Sequence, residues 1–402
     1  MRLAVTILVF CVAALLALGM VMLYSSSMVQ KGAQYLLMQL LWGGLGLAFG
    51  VAVTLMDYRW LRRAAWPLLG MAVLLLALVF EHHLAPKING ARRWLVTGGF
   101  RFQPSELAKL ALILVLAWYG ERYQRQMGGW KRGVLLPGCF IAVVLGLVFA
   151  EPDRGTTVLL AAVSGTMLLL AGVRWRFILP PVVLGLTALG VSLRHDHMRS
   201  ARIFGWLYLE EHKSGVGYQA YQAMLALGAG GWTGLGLGNG RQKYGFVPEH
   251  HTDFIFSMIG EELGLIATLL VVVAFVAILI CGIYIALHAP DTFGLLLGSG
   301  IAFLIGLQAF INIGVVTSVL PNKGLPLPFI SYGGSNLLMM LTSVGVLLSI
   351  ARQGRGTDSL GEGAADRRQI PGLRRPRNPF RNSERETRVS RLFHRVSIPA
   401  PS

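Results

Sequence analysis

The sequence predicts an all-α polytopic membrane protein with ten transmembrane helices, on three observations. Apolar residues make up 54% of the 402-residue chain and charged residues only 14%, against roughly 25% in soluble proteins. Mean hydropathy is +0.60. Uninterrupted apolar runs close to the ~20 residues that span a bilayer recur along the chain between short charged segments. An ordinary soluble domain is excluded.

The first run, 3–23, follows a single Arg2. It is too long for a signal-peptide core and lacks a small-x-small cleavage pattern behind it, so it reads as a membrane helix. Runs 35–56 and 64–80 flank the basic connection 57–63. Run 104–120 opens on Pro104, which suits a first helical turn, and carries Glu106 and Lys109 three apart on one face. Runs 133–150 and 156–173 are joined by Glu151-Pro-Asp153-Arg154-Gly155, where Pro and Gly serve the reversal. Run 177–193 leads into a large polar loop, 194–253, before runs 260–287 and 293–316. The last run, 332–351, is entered through three prolines, an irregular backbone that membrane depth tolerates only when it is buried or lines a cavity. Residues 352–402 are rich in Arg, Pro, Ser and Asn, and predict a disordered basic cytoplasmic tail that meets anionic lipid or a cytoplasmic partner.

Alternation of these runs places 22 of the 36 Lys and Arg residues on the side of Met1, which predicts cytoplasmic termini. Most of the net charge of +17 is therefore topology and tail, not a nucleic-acid surface. Eleven of the 19 carboxylates fall on or near the outer side, so any chemistry is expected to face outward. Cys11, Cys139 and Cys281 all lie inside apolar runs and imply no disulfide framework.

Several outer residues are candidates for chemistry. Glu106 and Lys109 form either a functional pair or an ion pair that holds helices together. Arg92 and Arg93, beside Trp94, offer guanidinium forks for phosphate or interfacial anchors. Asp153 caps the sixth helix or projects into a cavity with Arg154, and capping leaves Glu151 without a reason. The glycine-rich run 228–240 is not followed by a βαβ unit, so it reads as flexible backbone near a membrane-surface substrate. The densest polar cluster, Pro248-Glu-His-His251-Thr-Asp253 with Glu261 and Glu262, suits an acid/base site better than zinc, because adjacent histidines project apart. Ser331 and Ser335 lack a nucleophile elbow and read as close packing.

These residues resemble the SEDS proteins (shape, elongation, division and sporulation), a family of peptidoglycan glycosyltransferases. The resemblance covers nearly the whole membrane region. It is carried by Met22-Leu-Tyr-Ser-Ser-Ser27, Asn89-Gly-Ala-Arg-Arg-Trp94, Phe102-Gln-Pro-Ser-Glu-Leu-Ala-Lys109, Glu151-Pro-Asp-Arg-Gly-Thr-Thr157, Pro248-Glu-His-His-Thr-Asp-Phe-Ile-Phe256 with Gly260-Glu-Glu-Leu-Gly264, and Leu325-Pro-Leu-Pro-Phe-Ile-Ser-Tyr-Gly-Gly-Ser335. Pro321-Asn-Lys-Gly324 is more similar to the division-associated branch than to the elongation-associated one. Asn336 and Arg154 depart from the usual pattern.

The resemblance implies ten helices, an outward-open cavity and polymerisation of lipid II into glycan strands, with Asp253 as the central catalytic residue. Chemistry then asks for a base at the acceptor hydroxyl, which Asp253 supplies, and for cations at the leaving diphosphate. Lys109, Arg92, Arg93, Arg154, Lys323 or a bound Mg²⁺ or Mn²⁺ are the candidates, with Asp153 and Asp253 as possible metal ligands and His251 and Ser331 lining the cavity. The implied partners are a class B penicillin-binding transpeptidase, other division proteins and membrane lipids, in the cytoplasmic membrane at the septum. A lipid II flippase or transporter, or an elongation-type polymerase, is the alternative.

Overall fold

The computed structural model describes residues 1–366 except 33, 88–90, 98–99, 195–200, 202–203, 216 and 246–250. Two compact units divide the chain, 1–357 and 358–402, and the described part of the second, 358–366, is helical. The principal helices are α1 (Arg2–Lys31), α2 (Gln34–Leu55), α3 (Arg59–Leu78), α4 (Pro104–Arg122), α5 (Leu136–Ala150), α6 (Arg154–Leu170), α7 (Trp175–Arg194), α8 (Tyr218–Ala229), α9 (Ile255–Leu287), α10 (Thr292–Val316) and α11 (Gly334–Asp366). A small antiparallel hairpin, β1 (Leu95–Thr97) and β2 (Phe100–Phe102), precedes α4 in the register Leu95 to Phe102 and Thr97 to Phe100.

Each of the ten apolar runs falls on one of these helices. Among the described residues, seven helices are long and apolar enough to cross a membrane, namely α1, α2, α3, α5 with the π-turn Lys131–Leu135, α9, α10 and α11. Helix α6 and the part Trp175–Ala188 of α7 are apolar but shorter, and α4 is long enough but carries Glu106, Lys109, Glu121 and Arg122. Several boundaries differ from the sequence reading: helix α1 runs on to Lys31 rather than 23, and α3 starts at Arg59 rather than 64. Helix α9 starts at Ile255 rather than 260, and α11 continues to Asp366 where a tail was expected from 352. The rest of the expected tail lies outside the described residues.

Helix α4 is buried on nearly every side, as a helix without a polar face must be when it is surrounded by others. It packs against α3, α6 and α10, while α9 packs against α1, α8 and α10. The large apolar side chains left exposed, such as Phe49 on α2 and Leu270, Val273 and Ile280 on α9, are those a bilayer would solvate. On the side of Met1, Asp291 caps α10 through Gly294 N at 2.7 Å and accepts from Tyr58 Oη at 2.8 Å. Arg62 joins Asp291 to Glu121, tying α3, α4 and α10 together.

The glycine-rich run is not loose. Helix α9 is interrupted at Gly264, where φ is +78° and ψ −174°. Such a break strands backbone groups that need partners away from water. The run supplies them: Leu235 N and Gly236 N donate to the carbonyls of Glu261 and Glu262 at 2.9 and 3.0 Å, and Leu265 N donates to Gly231 O at 2.9 Å. A Cβ at Gly264 would collide with Gly234 N and Trp232 O, so the seat requires glycine. The flexible backbone expected at 228–240 is thus a plug in a broken helix. The long segment expected as a loop also contains α8 and a turn of 3₁₀ helix, Gln242–Tyr244.

Candidate functional site

Asp253 sits two residues ahead of α9, half-buried. The segment leading into α11 holds it from the other side. Ser331 Oγ donates to Thr252 O at 2.6 Å, and Tyr332 N donates to His251 O at 3.0 Å. Gln39 on α2 steadies the same segment, donating to Ser331 O and accepting from Gly333 N. Gly324 lies directly against the Asp253 carboxylate, where any Cβ would collide with Oδ2. Ser331 Oγ also accepts from Leu327 N at 2.8 Å, so this hydroxyl clasps backbone, as its setting suggested. His251 stacks on Tyr35 with ring centroids 4.8 Å apart, and Tyr35 meets Tyr332 at 4.7 Å.

Beneath this lies the embedded pair. Lys109 Nζ and Glu106 Oε2 are 2.7 Å apart and only 1% and 2% exposed. Neither is left with water as its partner: Lys109 donates to Gln308 Oε1 at 2.8 Å, and Glu106 accepts from Asn336 Nδ2 at 2.9 Å. Buried charges persist only when paired and hydrogen-bonded in this way. The pair therefore joins α4 to α10 and α11, and Lys109 is already committed.

The turn between α5 and α6 brings a second group together. Asp153 caps α6, accepting from Thr156 N at 3.1 Å and Thr156 Oγ1 at 2.9 Å, and takes a further donation from Gln103 Nε2 at 3.3 Å. Arg93 grips the turn from the hairpin side, donating to the carbonyls of Glu151 and Pro152 at 3.2 and 2.6 Å. Arg92 is half-buried just ahead of β1. The Glu151 carboxyl is 1% exposed with neither oxygen hydrogen-bonded among the described residues. Burial, and then the neighbouring Asp153, push it up to about 8 against a smaller opposing pull from Arg93.

Residues 323–325 link this turn to Asp253. Gly324 touches the Asp253 carboxylate, while the Leu325 side chain fills the space over Gly155 at the start of α6. Arg154 lies over the Phe149 ring at 5.0 Å. Burial, and then the nearby Arg154, lower the Lys323 ammonium below its ordinary value. The 323–325 segment thus meets both Asp253 and the start of α6, three parts distant in sequence.

Glu261 and Glu262, grouped with Asp253 in the sequence reading, are turned to the glycine-rich plug instead. Glu261 accepts from Arg241 N at 2.7 Å. Glu262 pairs with Lys243 at 2.9 Å and accepts from Ser25 Oγ and Gly238 N. Glu249 and His250 lie outside the described residues. Among the described residues no three His, Cys, Asp or Glu side chains gather as a metal cage. The sequence reading passed over Gln39, Gln308 and Asn312. Their signal was an amide in an otherwise apolar run, with Gln308 and Asn312 spaced to share one helical face.

A model of the family described as cell cycle protein matches residues 6–356. The probable peptidoglycan glycosyltransferase FtsW of Geobacter metallireducens is 41% identical over 350 residues, covering 86% of this chain and 93% of that protein. Stage V sporulation protein E of Bacillus subtilis is 36% identical over 85% of this chain and 95% of its own length. Among solved structures, one described as "structural coordination of polymerization and crosslinking by a peptidoglycan synthase complex" matches with a TM-score of 0.72 at 31% identity, over 86% of this chain and 97% of that one. The rod shape determining protein RodA of Thermus thermophilus matches at 0.64 and 31%, over 86% and 96%. The motifs, the helical fold and these matches agree that the chain belongs to the FtsW, RodA and SpoVE family of cell cycle proteins.

Proposed function

We propose that this protein is a peptidoglycan glycosyltransferase that polymerises lipid II into β-1,4 glycan strands at the outer face of the cytoplasmic membrane during division. The observation that supports the site assignment is the 323–325 segment, which meets the Asp253 carboxylate at Gly324 and the start of α6 at Leu325. The division role is supported by relatives named FtsW at about 40% identity. The helices and the bias of Lys and Arg support a reading of ten membrane crossings with cytoplasmic termini.

In the reaction, the Asp253 carboxylate takes the proton from the acceptor 4-hydroxyl as that oxygen attacks the anomeric carbon of the lipid-linked donor. The carbon–oxygen bond to the diphosphate breaks, its electron pair leaves on undecaprenyl diphosphate, and the configuration inverts. We assign Lys323 and Arg154 to offset the charge that develops there. Lys109 and Arg93, both committed to protein partners, shape the cavity instead. Mg²⁺ or Mn²⁺ would find in Asp253 one protein carboxylate, with diphosphate oxygens completing its shell, and would add Lewis-acid neutralisation. Asp153, whose oxygens are taken up by its cap, is a poorer ligand.

The partner we infer is a class B penicillin-binding transpeptidase that crosslinks the strands, consistent with the matched structure coming from a peptidoglycan synthase complex. The test is reconstitution of Asp253→Asn with that partner, scoring glycan ladders on lipid II against transbilayer movement of a labelled lipid. Loss of ladders in a correctly inserted protein is expected. Near-normal polymerisation would refute the assignment, and translocation without ladders in the unsubstituted protein would favour a flippase.

A further inference from the structure

Two amides on α10 have no part in the chemistry above. Gln308 and Asn312 are four residues apart on one helical face and buried, at 0% and 1% exposure. Polar groups buried in a membrane helix are costly and persist where they hold something.

Gln308 accepts from Lys109 Nζ at 2.8 Å and donates to Pro326 O at 2.9 Å. One turn further on, Asn312 spends its Nδ2 on two main-chain carbonyls, that of Leu325 at 2.6 Å and that of Asp253 at 2.8 Å. Its Oδ1 is buried with no hydrogen-bond partner among the described residues, so the side chain is oriented by its donor end alone. These two carbonyls belong to the stretches that carry Asp253 and Gly324, which touch each other. One amide group therefore fixes the approach of two segments separated by about seventy residues of chain.

We propose that Asn312 is a positioning residue for polymerisation: by pinning the Asp253 and Leu325 carbonyls together it sets the carboxylate against Gly324 and at the acceptor hydroxyl. This rests on the reading of Asp253 as the base. Gln308 carries the same fixation back to the Glu106–Lys109 pair, so the buried pair, α10 and the base form one hydrogen-bonded frame.

The test uses the full-length protein with its transpeptidase partner and purified lipid II. Asn312→Ala removes both donors, whereas Asn312→Ser keeps one. Displacing a reacting group by about 1 Å costs on the order of 100-fold, so kcat of the Ala variant is expected to fall about 10- to 100-fold with KM little changed. The Ser variant is expected to recover part of that loss. Wild-type kcat in Asn312→Ala, a loss confined to KM, or a Ser variant no better than Ala at matched melting temperature would each overturn the proposal. Asp253→Asn run alongside separates the failures: if it polymerises normally the base assignment falls, and if it is inactive while Asn312→Ala is active only the positioning role falls.

Discussion

Replacing Lys243 by Met should loosen the glycine-rich plug from α9, and its cost can be worked from the contacts. Lys243 Nζ lies 2.9 Å from Glu262 Oε1 and 2.7 Å from Gly238 O, with the two side chains 3% and 2% exposed. Removing one member of a buried pair leaves an uncompensated charge, at about 3–5 kcal/mol. Glu262 would keep donations from Ser25 Oγ at 2.8 and 2.6 Å and from Gly238 N at 3.0 Å, which places the cost at about 3 kcal/mol, the lower end. By the usual scaling for large domains this lowers the melting temperature in detergent by about 6–12 °C. Proteolysis within 230–245 should accelerate at the same time, because the plug is what shields that backbone. Adding Glu262→Leu removes the second charge but leaves Gly238 N without its acceptor, so the double variant should lose about 1–3 kcal/mol, less than the sum of the single changes. The assay is a thermal double-mutant cycle on the purified protein. Single variants within about 0.5 kcal/mol of wild type, or strictly additive losses, would refute the buried-pair argument.

Two further outcomes follow from the site. Gly324→Ala places a methyl group on Asp253 Oδ2, so polymerisation should fall about 10- to 100-fold while the melting temperature barely changes, since position 324 is exposed; near-normal ladders would contradict the close approach. Glu151 concerns pH. Its carboxyl, held at about 8 in the folded protein against an ordinary 4.5, binds more protons folded than unfolded. Stability should therefore fall as pH rises between these values, by up to about 5 kcal/mol, and level off above about 8. Melting temperatures across pH 5 to 9 should decline in the wild type and stay flat in Glu151→Gln, and equal slopes in the two would refute it.

Much of the architecture was legible in the residues. Run length against bilayer thickness located the helices, and the scarcity of charge made Glu106, Asp153 and Asp253 conspicuous. The helix-start role open to Asp153 also proved local, since its cap spans only three residues. What stayed hidden depended on partners far away in sequence. Lys109 meets Gln308 across 199 residues and Ser25 meets Glu262 across 237, and no periodicity records such encounters. The amides were silent for a related reason: Gln308 and Asn312 carry no charge, so composition and topology rules pass over them.

Sequence alone determined that this chain must be a bundle of membrane helices, because hydrocarbon admits only apolar runs whose backbone groups are satisfied internally. Tertiary structure decided what several of the chain's acids meet. Glu106 is paired, Asp153 is spent on a helix end, Glu261 and Glu262 hold the plug, and Glu151 is buried. Asp253 lies half-buried beside Gly324, since a carboxylate's setting is fixed by the segments that packing brings to it.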